Sequence, residues 1–111
     1  MYPRFLDIEA SSLNNNSYPI EVAWSDPLGD IECYLINPYA IDLWTDWNYE
    51  SQQIHGISRK TCRELGVHPK WLCDRISNSI KPNETIYADG GQFDEYWIDT
   101  LYGVGSKLGF A

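Results

Sequence analysis

The chain has 111 residues, 43% hydrophobic, with five Trp, eight Tyr and a net charge of −8. This apolar and aromatic content excludes an intrinsically disordered polymer, and the length suits one domain, residues 1–111, with one core. No run approaches the ~20 apolar residues of a membrane helix, and the acidity argues against tight, non-specific binding to long duplexes.

The first predicted strand spans residues 3–10 and carries Asp7 and Glu9 at i and i+2. In a strand such residues share a face, so the two acids project side by side while Leu6 and Ile8 point the other way. Adjacent carboxylates repel unless a cation lies between them, and an all-oxygen donor set suits Mg²⁺ or Mn²⁺. The plainer reading is an edge strand with solvated acids.

Asn14–Ser17 is a polar turn. A second strand follows over residues 18–25 and a third over 31–36, joined by Asp26-Pro27-Leu28-Gly29-Asp30, which predicts an antiparallel meander. Residues 37–53 read as irregular and aromatic-rich. Within them Trp44 and Trp47 either stack on bases or pin the loop to the core, the second being the more usual role. Ser58 caps a short helix that Gly66 ends, and Pro69 opens another with Trp71, Leu72, Ile76 and Ile80 at helical spacing.

The apolar run Thr85-Ile86-Tyr87-Ala88 predicts a fourth strand. It leads through Asp89-Gly90-Gly91 into an amphipathic helix with Phe93 and Asp94 at its start. Asp89 either adds to a metal site or caps this helix, and the glycines permit a tight turn.

Asp7-x-Glu9, Ile54-His55-Gly56-Ile57-Ser58 and Phe93-Asp94, in this order, resemble the DnaQ-like (DEDD) 3'-5' exonucleases. The resemblance covers essentially the whole chain. It implies an α/β, RNase H-like mixed sheet: an antiparallel three-stranded meander plus a further strand, with helices packed against it. It also implies a two-metal Mg²⁺ or Mn²⁺ phosphodiesterase with Asp7, Glu9 and Asp94 as ligands, Asp89 as a possible extra acid, and Ala10, Ser11, Ser12, His55 and Phe93 around the nucleotide. The partner would be a single-stranded 3' end or a short oligonucleotide.

The chain departs from the family pattern in two ways. Asp89-Gly90 stands where an Asn is common, and the third motif, a His and an Asp on a later helix, does not follow Asp94. The expected domain is therefore incomplete at its C-terminus. The alternative function is a catalytically incomplete nuclease fold serving as a nucleotide-binding or interaction module. An incomplete domain would leave Phe93, Trp97 and Leu101 partly exposed, which predicts a homodimer through that face. Cys33, Cys62 and Cys73 have no paired spacing, and no apolar signal segment opens the chain, so a cytoplasmic location is expected. Cys62, His68 and Cys73 match no recognised zinc spacing.

Overall fold

The computed structural model describes residues 3–81, 83–88 and 92–107. Four strands form one sheet in the order β3-β2-β1-β4. They are β1 (Phe5–Ala10), β2 (Pro19–Ser25), β3 (Ile31–Leu35) and β4 (Tyr87–Ala88). The first three pair antiparallel and β4 joins β1 in parallel. This is the expected mixed sheet, with a meander and one further strand.

Alternation along β1 decides how the sheet is used. Leu6 and Ile8 are buried, whereas Phe5 and Asp7 are exposed and Glu9 is half-buried. Leu6 pairs with Trp24 and Ile8 with Val22, so the inner face is a continuous apolar surface. Helices α3 (Pro69–Ser79) and α4 (Gln92–Lys107) cover it with Leu72, Cys73, Ile76, Trp97 and Leu101. At about 25 cal/mol per Å² of apolar area, burial of this set is the main stabilising term. Trp97 also donates from Nε1 to Ser17 Oγ at 2.9 Å, which satisfies the indole's polar atom and ties α4 to the β1–β2 turn.

Burial of Trp97 and Leu101, 6% and 0% exposed, corrects one expectation. The apolar face of α4 is used up against the sheet and α3. Of the three residues named for that face, Phe93 alone is substantially exposed, so the homodimer predicted through them loses its physical basis.

Buried Arg4 joins the sheet to the segment before β4. Its Nε donates to the Ser25 carbonyl at 2.8 Å and an Nη to the Ser79 carbonyl at 3.0 Å, while the other Nη pairs with Glu84. No helix among the described residues is long and apolar enough to cross a membrane.

Residues 37–53 are more ordered than the composition predicts. A 3₁₀ turn occupies Pro38–Ala40, and α1 spans Tyr49–His55. Asn48 caps α1 by accepting from Ser51 N–H, and Gly56 closes it in the left-handed region at φ 75°. Helix α2 (Arg59–Leu65) starts at Ser58, as expected, with Ser58 Oγ accepting from Thr61 N–H at 3.1 Å. Trp44 is buried and stacks on Tyr18 with centroids 5.2 Å apart, so it pins this segment to the core.

Candidate active site

Asp7 and Glu9 lie on the sheet face opposite the core, and the strand register adds a third acid. Glu9 stands directly opposite Glu21 of β2, and Asp7 opposite Ala23. Between Glu9 and Ala10 the register shifts, so that Ala10 pairs with Pro19 and Ile20 is the extra residue. Such a bulge ends regular pairing and re-aims the side chains at the strand's end.

Burial, followed by the charges of Asp7, Glu21 and Asp94, holds Glu9 above its ordinary pKa of 4.5. Negative potential from β1, β2 and α4 thus converges on one carboxylate. Asp94 is itself buried, at 2% exposure, in the first turn of α4. Across the sheet, Cys33 donates towards Glu21, and burial with the neighbouring acids pushes its thiol up to about 11. Cys33 is therefore a neutral hydrogen-bond donor here, with little thiolate character.

A cleft of about 250 Å³ opens beside Glu9, lined among others by Ala10, Ser12, His55 and Trp97. His55 ends α1. Its Nδ1 accepts from Ile57 N–H at 3.0 Å, which places the ring proton on Nε2. Burial lowers its pKa, against the opposing effect of Glu21. Nε2 is buried near the Ala10 carbonyl without completing a hydrogen bond. In this tautomer His55 is a donor awaiting an acceptor, and Nε2 has no lone pair with which to act as a base.

The geometry of the sheet, with its helices, is shared with solved nucleases. A product-bound exonuclease I is 18% identical at TM-score 0.73, covering 95% of this chain and 26% of that one. Escherichia coli exonuclease I with a dT13 oligonucleotide is 17% identical at TM-score 0.69, covering 94% and 24%. A moderately thermophilic exonuclease I from Methylocaldum szegediense is 18% identical at TM-score 0.61, covering 77% and 19%. The fold matches that of one part of exonuclease I. The chain spans between about a fifth and a quarter of the length of these exonuclease I structures. No family profile and no curated protein matches it.

Within this exonuclease I fold, the residues singled out in the sequence separate into groups. Asp7, Glu9 and Asp94 come close enough for Glu9 to feel both others. Glu9, Ala10, Ser12 and His55 share the cleft. Phe93 lies on a second cleft of about 460 Å³, with Leu13, Asn14, Asn15, Ser17 and Tyr96, and Leu13 borders both. Asp89 falls outside the described residues.

Ser11 and Ser12 anchor the end of β1. Both are buried, and their hydroxyls donate to one oxygen of Asp46 at 2.7 and 2.6 Å. Ser11 Oγ also accepts from Tyr18 N–H and Ser12 Oγ from Asn14 N–H. These hydroxyls hold the chain after β1 in place.

Sequence reasoning missed Glu21 and Asp46. Glu21 was legible in principle: once β1 and β2 are paired antiparallel, one register sets it against Glu9. Asp46 carried no local signal, because its partners lie 32 to 35 residues away.

The donor chemistry of Asp7, Glu9 and Asp94, all carboxylate oxygen, fits a hard divalent cation. Among the described residues, however, no group of three or more His, Cys, Asp or Glu is arranged to hold a metal ion.

Proposed function

We propose that residues 1–111 form a single RNase H-like, 3'-5' exonuclease-type domain that hydrolyses phosphodiesters at single-stranded nucleic acid ends or in short oligonucleotides. The observation carrying this reading is the convergence of Asp7, Glu21 and Asp94 on half-buried Glu9 at the mouth of a cleft. The neighbouring acids raise the pKa of Glu9, and a divalent cation bound there relieves that cost. The fold likeness to exonuclease I supports the same class of chemistry.

Asp7, Glu9 and Asp94 would hold Mg²⁺ or Mn²⁺. When bound, such ions supply an activated water and stabilise the leaving 3'-oxygen of an in-line displacement. His55 would donate from Nε2 to an oxygen of the terminal nucleotide, satisfying a donor that is otherwise buried and unpaired. The wall formed by Ala10, Ser12 and Trp97 would exclude water from one side of that nucleotide. Phe93 would meet a base on the neighbouring cleft, where its ring is 41% exposed. The free thiols of Cys33, Cys62 and Cys73 accord with a reducing, cytoplasmic setting.

A second reading, a nucleotide-binding or interaction module without turnover, is favoured by one observation: among the described residues, no group of three or more His, Cys, Asp or Glu is arranged to hold a metal ion. A hydrolysis panel on 3'-labelled single strands of DNA and RNA with Mn²⁺ separates the two readings. Cleavage from the 3' end that disappears in Asp7→Ala supports the exonuclease. Oligonucleotide binding without cleavage supports the module, and neither binding nor cleavage refutes both.

A further inference from the structure

The sequence concentrates positive charge in one place that the candidate active site does not use. Of the chain's eight Lys and Arg residues, Arg59, Lys60 and Arg63 fall on the single helix α2. Against them α2 carries one acid, Glu64, so three cations and one carboxylate leave the helix at +2 in a chain of −8. Lys60 and Arg63 each approach Glu64 only to 3.9 Å, with side chains 73% and 49% exposed. Ion pairs of this kind are weak, which leaves both cations available to another anion.

An aromatic ring sits among these cations. The Arg59 guanidinium lies 4.4 Å from the centroid of the Tyr39 ring and that of Arg63 lies 5.6 Å from it. Tyr39 is 55% exposed. Stacking on a ring fixes the plane of a guanidinium and lowers the entropy lost when its N–H fork meets a phosphate. Arg59 is further fixed by donating to Tyr18 Oη at 3.1 Å and to the Trp44 carbonyl at 2.7 Å.

Those same contacts connect the helix to the cleft. Trp44 belongs to the segment whose Asp46 holds Ser11 and Ser12, and whose Asn48 N–H donates to the Ser11 carbonyl at 3.1 Å. Helix α2 begins four residues after His55.

The geometry points to a second nucleic-acid site: Tyr39, Arg59, Lys60 and Arg63 form a platform for the phosphates of a single strand whose 3' end lies in the Glu9–His55 cleft. Charge complementarity selects the occupant, because a local +2 surface with an exposed ring matches a flexible polyanion carrying bases. The platform rests on the nuclease reading and extends it from the terminal nucleotide to the strand behind it.

The test uses the full chain, a fluorescein-labelled oligothymidylate of about 12 nucleotides and, separately, thymidine 5'-monophosphate. Binding is measured across a salt series for the parent and for Lys60→Ala/Arg63→Ala. Both side chains are exposed, so the variant folds, which its circular dichroism and its monophosphate binding verify. The platform predicts roughly tenfold weaker oligothymidylate binding, a salt slope shallower by about 1.4 for two lost single-strand phosphate contacts, and unchanged monophosphate binding. An unchanged oligothymidylate slope in the variant overturns the platform and leaves the nuclease reading standing. Equal losses for both ligands overturn the separation of platform and cleft. Failure of the parent to bind the oligothymidylate overturns the platform together with the nuclease reading.

Discussion

Glu9 and Glu21 stand directly opposite each other across β1 and β2, two carboxylates on one face of the sheet with no described cation between them. Directly opposed like charges destabilise a sheet. The cost persists here beside a cleft, at a register shift, with two further acids acting on Glu9. Strain of this kind at a functional position is the expected signature of a site that stabilises something other than the bare fold.

Replacing Glu9 by Gln therefore separates stability from function. The amide keeps the shape and removes the repulsion, so the metal-free variant melts roughly 2–4 °C above the parent. The same variant loses its response to Mn²⁺. Thermal melts with and without Mn²⁺ check both halves. An unchanged or lower metal-free Tm would contradict the electrostatic account of Glu9.

The pH dependence has a fixed sign. Burial and the neighbouring acids raise Glu9 above its ordinary 4.5 in the folded state, so the native protein keeps a proton that the unfolded chain has already lost. The associated stability is fully present below pH 4.5 and is lost as pH rises through the raised pKa. Cation binding needs the carboxylate and displaces that proton, so apparent Mn²⁺ affinity rises across the same window, by up to about tenfold per pH unit. Titrations at stepped pH measure the slope, and a flat profile in the parent would remove Glu9 from the ligand set.

Asp46 holds the end of β1 from a distance. Its carboxylate accepts from Ser11, Ser12 and Asn14. Asp46→Ala leaves two buried hydroxyls without their acceptor and is expected to cost about 2–3 kcal/mol in urea unfolding. A loss below about 0.5 kcal/mol would mean that water replaces the carboxylate freely.

Two glycines flanking α2 differ in what a methyl group meets. Gly56 has φ 75° and nothing within 4 Å of an added Cβ, so Gly56→Ala costs only backbone strain, about 1–2 kcal/mol. At Gly66 an added Cβ would lie 2.2 Å from the Cys62 carbonyl oxygen and 2.5 Å from the Asn37 nitrogen. Both are backbone atoms that cannot rotate away. Gly66→Ala is expected to be clearly the more damaging, breaking the Asn37–Val67 and Ile36–Val67 pairings. Equal melting temperatures for the two variants would refute this ranking.

Much of the fold was legible because local signals and tertiary demands agree. The alternation of Leu6 and Ile8 with Asp7 and Glu9 gave both the strand and its buried face, and Ser58 and Pro69 marked helix starts that the structure keeps. Helix α1 was hidden by length. Seven residues with no buried member give no apolar stripe, although Asn48 and Gly56 do bracket it as caps. The exposed apolar face predicted for α4 failed for a tertiary reason: Leu6, Ile8 and α3 supply its cover from far along the chain. At the site, the acids on β1 and α4 were readable one by one. Glu21 needed the register, and the commitment of the Ser11 and Ser12 hydroxyls needed Asp46, which no spacing rule could pair with them.

The central proposal is that Asp7 and Glu9 on β1 and Asp94 on α4 serve one divalent cation. Mn²⁺ titration by calorimetry of the parent, Asp7→Ala and Asp94→Asn tests it most directly. The account predicts saturable binding by the parent and at least tenfold weaker binding by each variant, with both variants folded by circular dichroism. Mn²⁺ binding by both variants at the affinity of the parent would contradict it.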